Sequence, residues 1–467
     1  MYKKLRGINL LYRFRTCNDF LFDELEKKYI YFSDIKDFND YGENNINLIF
    51  EGDIIAWRGF LRHYISSLFL TICFGKFEED SKVIIHIEDY YNNYCQYPLK
   101  LKDELKRVSY NFLEDKFIKY FLSIIVNEKV SHRKLTLIMS FLQVRALLLI
   151  YPIDLKAQDE INKIASFELF KELLNEIIEA NTIEKINKFN LQLDAITMLP
   201  RIEKLEKGEK SITIDFSKEY LQQIKMLLYP DRYVACFSER FDNNAMWGYY
   251  ANSFKGICLE FKTDNERGKE YIELYNRIGV NEKGNTYDWE KVCFQKVIYG
   301  NNEITFPEIN FFDNIGRISI PYKTLFLSEN SKESKYFRHD EEWRDNYWKL
   351  FDYLSTHKLS DWEHEKEQRL ITDNTAFDFS NLENRKLKYN FNSLDGIIFG
   401  NKIEKENKDR IIEIIAKNCI EEKREDFNFY NLLYINGILE KQICIYSRLR
   451  FKKILEAKIG INVTEDI

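Results

Sequence analysis

Two short stretches of the chain hold residue types with which a protein does chemistry. The first, Leu10 to Arg15, alternates as a strand and sets Arg13 and Arg15 on one face with Leu11, opposite Leu10, Tyr12 and Phe14. In the second, Trp362-Glu363-His364-Glu365-Lys366-Glu367-Gln368-Arg369, a strand from His364 to Ile371 would point Glu365, Glu367 and Arg369 to one side. One face of that strand would then carry two carboxylates and a guanidinium. With Asp40 and Glu43 the same carboxylates could instead gather around a metal. The competing reading is a charged solvent helix in which Glu365 pairs with Arg369 at i,i+4.

Other polar candidates stand at strand ends and turns. Ser33 closes an alternating segment from Tyr29, and Asn39 and Asp40 lie in the turn-rich run Phe38 to Asn45. Between Phe237 and Phe261 the text reads strand end, short helix, stop and second strand. Asp242 or Asn243 would cap the helix, Gly256 would supply a left-handed stop, and Trp247, Tyr249 and Tyr250 crowd aromatic groups as around a pocket. Conventional signatures are missing: the six histidines form no His-Glu-x-x-His, and there is no Walker loop, no Gly-x-Gly-x-x-Gly and no Gly-x-Ser-x-Gly.

The elements that position these groups come in two styles. Residues 1–47 and 229–467 are α/β in character, with strands expected at Tyr233 to Ser238, Ile257 to Phe261, Lys291 to Tyr299 and Leu394 to Phe399, and helices at Asp19 to Lys27 and Lys405 to Lys417. Residues 48–228 read instead as long amphipathic helices: Ile54 to Phe74, Leu101 to Val126, Arg133 to Tyr151, Ala157 to Ala180 and Ile183 to Leu205. The expectation is an α+β core, mixed in its β-sheet, interrupted by a large all-helical insertion.

Composition narrows the class without choosing a function. Apolar content of 45% and aromatic content of 15% exclude a disordered chain. Against 69 basic residues stand 75 acidic ones, so no global field draws the chain to nucleic acid or an anionic membrane. Eight scattered cysteines read as reduced core thiols, no secretory leader is recognisable, and no apolar run reaches the length of a membrane span. A cytoplasmic protein that makes no membrane contact is the expectation.

The Met246-Trp247, Tyr250-Ala251 and Lys255-Gly256 pairs before a strand, Arg13 to Arg15 with Tyr31-Phe32-Ser33 and Phe38-Asn39-Asp40, and Trp362 to Arg369 occur in the order of a bacterial family, domain of unknown function 2971, which the chain resembles over residues 8 to 45 and 230 to 400. That family usually has histidines where this chain has Tyr249 and Phe254. The layout is also similar, more distantly, to ADP-ribosyltransferases. That resemblance implies an ADP-ribosyltransferase-like core in which Arg13 holds the dinucleotide, Ser33 shapes the nicotinamide pocket, and Glu367, or else Glu365, stabilises the ribosyl cation. Arg15, Asn39, Asp40, Trp247, Tyr249, Tyr250 and Arg369 would line the NAD site, with NAD as substrate and no metal.

By family type this suggests a toxin or an anti-phage abortive-infection effector acting on a protein or nucleic-acid acceptor, with the helical insertion binding a partner protein. The alternative is a sensing module that binds a nucleotide or partner without turnover.

Overall fold

The computed structural model describes residues 9–38, 40, 46–74, 96–150, 166–179, 212, 215–282, 284–300, 307–317, 320–375 and 377–459. The chain divides into two units, one of residues 1–45, 231–306 and 352–467, the other of 46–230 and 307–351.

The first unit carries β1 (Asn9–Arg15), α1 (Asp19–Lys27), β2 (Tyr29–Tyr31), β3 (Ser33–Asp34), β4 (Arg232–Ser238), α2 (Asn244–Tyr249), β5 (Ile257–Glu266), β6 (Lys269–Asn281), β7 (Gly284–Cys293), β8 (Gln295–Lys296), β9 (Ile298–Gly300), β10 (His357–Leu359), β11 (Glu367–Asp373), β12 (Lys386–Tyr389), β13 (Leu394–Phe399), α3 (Lys405–Glu421), β14 (Asn428–Ile435), β15 (Ile438–Ile443) and α4 (Ile445–Ile459). Its main sheet has the order β8-β11-β4-β1-β5-β13-β14-β15. Neighbours there are antiparallel except β13 and β14. The sheet forks at β5: its first residues lie between β1 and β13, while Asp264 to Glu266 turn away to pair with β6, which joins β7 and, through β12, β2.

Strand alternation gives the two faces of β1 different company. Leu11 joins Leu25, Phe237, Leu259, Phe261, Leu274 and Ile415 in the larger core, against α1 and α3. Tyr12 and Phe14 pack on the other face with Met246, Trp247, Ala251 and Leu432. Asn18 starts α1 by accepting a hydrogen bond from the Leu21 amide at 3.0 Å, and Lys28 ends it in the left-handed region at φ 58°.

Gly256 has a different use from the stop expected of it. The left-handed residues after α2 are Asn252, Ser253 and Phe254, at φ 47°, 53° and 71°. A Cβ at Gly256 would sit 2.2 Å from the Arg15 carbonyl oxygen, so the glycine is what lets β5 begin against the end of β1.

In the second unit the described helices are Ile54–Phe74, Leu99–Glu114, Lys116–Ile125, His132–Ile150, Phe167–Glu179, Phe216–Gln223 and Ile320–Leu327, together with the Glu341–Thr356 helix as far as Phe351. Asp115 splits the helix expected over Leu101 to Val126, because its carboxylate caps the second piece at the Phe117 amide, 2.9 Å away. The expected helix Ile183 to Leu205 and the start of Ala157 to Ala180 lie outside the described residues.

Two expectations need correction. The unit is not all helical: Asn47–Phe50 pairs with Glu308–Asn310 and Val130–Ser131 in a small sheet. Residues 307–351, assigned by their sequence to the second part of the core, belong with 46–230. The reason is aromatic packing, with Phe311 and Phe312 centred 5.2 Å from Phe50 and Trp57 respectively. No described helix is long and apolar enough to cross a membrane.

Candidate functional site

Arg369 is fully buried on β11 and grips Glu367 with two parallel hydrogen bonds of 2.9 Å, from Nε to Oε1 and from Nη2 to Oε2. Its third nitrogen, Nη1, donates to the Ser355 carbonyl at 2.9 Å. Lys358 Nζ lies 2.8 Å from Glu365 Oε2 and 3.7 Å from Glu367 Oε2, bridging the two carboxylates. The Tyr250 hydroxyl donates to Glu365 Oε1 at 2.6 Å. The Tyr299 hydroxyl accepts from the Glu367 amide at 2.8 Å.

Local backbone geometry makes this cluster. The strand expected from His364 begins only at Glu367, since Glu365 ends a 3₁₀ helix, Ser360–Glu365, and Lys366 turns through φ 46°. Glu365 and Glu367 therefore meet through a kink and not through strand alternation. The segment after β4 clamps that kink: Ser238 Oγ donates to the Glu365 carbonyl at 2.7 Å, Asn243 Nδ2 to the His364 carbonyl at 2.6 Å, and the Glu239 amide to the Lys366 carbonyl at 3.0 Å. Asn243 also caps α2, accepting from Ala245 N at 2.8 Å.

Charge balances within the cluster, two carboxylates against Lys358 and Arg369. Burial opposes ionisation of Glu367, but Arg369, by its charge and its paired hydrogen bonds, and then Lys358 hold the carboxyl below its ordinary value. Burial above all pushes the Tyr299 phenol up, so it stays protonated. Over the charged floor stand half-buried side chains: Cys236, Tyr250, Tyr299, Trp362, whose ring lies 4.8 Å from Lys358 Nζ, and Phe38, 5.7 Å from the Arg369 guanidinium.

The other candidates divide. Arg13 is buried, donates to the Tyr31 carbonyl at 2.9 Å, lies 3.5 Å from Glu24 of α1 and sits 5.4 Å over the Phe237 ring. Arg15 meets the same Glu24 at 2.6 Å. Tyr12 pairs with Ser238 and Ser238 with Glu367, so pleating puts Arg13 with Phe237 on the face opposite Glu367. The expected single pocket of Arg13 and Glu367 is not formed.

Ser33 pairs with Val234, which shares the Cys236 and Ser238 side of β4. Trp247 is core, fully buried, edge-on to Phe14 at 5.3 Å and donating Nε1–H to the Phe241 carbonyl at 2.6 Å. Tyr249 is 69% exposed and turned to solvent, whereas Tyr250 belongs to the cluster. Asp40 is buried, and Asn39 lies outside the described residues.

Lys358, Tyr299 and Cys236 were not among the candidates read from the sequence. Lys358 and Tyr299 arrive together because β10 pairs in parallel with β9, Tyr299 opposite Lys358, a long-range contact that no spacing announces. Among the described residues no group of three or more His, Cys, Asp or Glu side chains is placed to hold a metal.

No family model, curated protein or solved structure matches the chain. Three stretches distant in sequence meet at the cluster: Phe38 reaches Arg369, and the segment Ser238 to Tyr250 holds Glu365.

Proposed function

We propose that the cluster around Glu367 is a nucleotide site at which the chain cleaves the nicotinamide glycosidic bond of NAD, as an ADP-ribosyltransferase or NAD glycohydrolase. The observation that supports this most is a pair of buried carboxylates, held by Arg369 and Lys358, beneath half-buried aromatic rings. Such a carboxylate favours the positive charge that develops on the ribose as the C1′–N bond breaks. Nicotinamide leaves with the electron pair, and water or a macromolecular nucleophile captures the ribosyl cation and gives up a proton. Tyr250 and Trp362 would stack on the planar rings. Arg13, committed to Glu24 on the other face, is given no part in holding the pyrophosphate.

A second reading, a site that binds a nucleotide without turnover, is favoured by one observation: each oxygen of Glu365 and Glu367 already has a partner within the protein. Nicotinamide release from NAD, alone and with bacterial lysate, separates the two. Release by the native chain that falls at least about tenfold in Tyr250→Ala, a change that removes the stacking ring and leaves both buried ion pairs intact, supports the enzyme. NAD bound without release supports the sensing module, and neither binding nor release by folded protein removes both.

A further inference from the structure

Glu260 of β5 is completely buried, and one of its oxygens, Oε1, pairs with Lys441 of β15. The other, Oε2, has no hydrogen-bond partner among the described residues. Lys441 reaches in from the outermost strand of the sheet, and its ammonium is ringed by aromatic faces, 4.5 Å from the centre of Tyr430, 5.4 Å from Phe241 and 5.9 Å from Tyr12. Gly396 of β13 lies directly between Glu260 and Asn428, and a Cβ there would sit 3.0 Å from Glu260 Oε2. The missing side chain leaves the trough through which carboxylate and ammonium meet.

Three aromatic faces over a desolvated carboxylate are the elements with which proteins recognise organic ammonium ions. Burial pushes the Glu260 carboxyl up and Lys441 pulls it down, so a cation held at this place is what favours the ionised form. The other carboxylates that act on these groups are already matched, Asp242 by Arg240 at 2.8 Å and Asp395 by Lys262 at 2.5 Å. The Lys441 side chain remains 23% exposed, so the ion pair is not sealed on the Lys441 side as it is on the Glu260 side. Its strand is an edge strand reached by a two-residue Asn436-Gly437 turn with both residues at positive φ, and an edge hairpin is among the parts of a sheet that open most readily.

We propose that the cage of Tyr12, Phe241 and Tyr430 over Glu260 is a binding site for a small organic ammonium ion, and that Lys441 is its built-in occupant, which such a ligand displaces. The site is separate from the Glu367 cluster: Glu260, Tyr12, Ser238 and Glu367 face each other in turn across four neighbouring strands, about 14 Å from end to end at ordinary strand spacing.

The test uses the full chain and tetramethylammonium, which carries no acylable amine. Native protein is treated with a lysine-acetylating reagent in tetramethylammonium chloride and in sodium chloride at equal ionic strength, and acetylation of Lys441 is read by mass spectrometry. Displacement predicts several-fold faster acetylation of Lys441 in tetramethylammonium, with Lys405 and Lys452 unchanged. Equal rates in the two salts overturn the proposal.

In parallel, Lys441→Ala should melt below the native chain and regain stability saturably with tetramethylammonium, and Tyr430→Ala in the same background should lose the rescue. A folded Lys441→Ala with no rescue also overturns it. If that variant does not fold, Lys441→Gln, which keeps a donor for Glu260, takes its place: saturable rescue supports the cage, and no rescue overturns it.

Discussion

With Glu367 bound at both oxygens by Arg369, changing either residue alone strands a charge inside the protein. Glu367→Gln is therefore not the silent isostere that carboxylate-to-amide changes are at a surface. We expect it to lower unfolding free energy by about 3 to 5 kcal/mol in urea melts, and Glu367→Gln combined with Arg369→Met to recover much of the loss. A recovered double variant that still releases no nicotinamide would separate the chemical role of Glu367 from its structural one.

Acid should expose the same pair. A folded value held below the free glutamate value of 4.5 means that the unfolded chain takes up the proton more readily. Ionised Glu367 thus adds stability above about pH 4.5, and that contribution is lost as the pH falls through the folded value. Stability measured from pH 6 down to about 3 should fall more steeply in the native chain than in the double variant. Parallel curves would show that Glu367 is not held in this way.

At the scale of elements, two small residues hold the site in place. Gly256→Ala forces a methyl onto the Arg15 carbonyl and should cost about 3 kcal/mol or more, seen as a lowered melting midpoint. Asn243→Ala removes the α2 cap and the tie to His364 and should cost about 1 to 2 kcal/mol. It should also weaken the cluster more than an ordinary cap loss would, which nicotinamide release would register.

Elements with strong local signals were legible in the sequence. Helix α1 was placed from Asp19 to Lys27 and the first long helix from Ile54 to Phe74, where they stand, because caps and apolar periodicity are local. The alternation of Leu11 and Arg13 against Tyr12 and Phe14 was also readable. The kink at Lys366 was not, since a non-glycine left-handed residue has no composition cue, and so Glu365 was read into a strand. The face on which Arg13 lies relative to Glu367 depends on Tyr12 pairing with Ser238, more than two hundred residues away. The pair Asn436-Gly437 is a local hairpin signal, yet the strands expected from the sequence did not include the two that it joins.

For the whole molecule, the assignment of residues 307–351 to the second unit sets a rule for dissection. Replacing 46–230 by a short linker would strip Phe311, Phe312 and Phe326 of Phe50, Trp57 and His63. Such a chain should aggregate, whereas removing 307–351 as well should leave a monodisperse first unit by size-exclusion chromatography. Equal behaviour of the two deletions would count against this division.

The central place of β1 has a consequence for how the protein is made. Its neighbours β4 and β5 are encoded from residue 232 onward, and the rest of the sheet runs to residue 443. At about 5 to 20 residues per second on a ribosome, β1 waits roughly 10 to 40 seconds for its first partner strand. Throughout that interval Leu11, Tyr12 and Phe14 have no sheet to enter, so the newborn chain must be shielded from its neighbours until its second half begins to emerge.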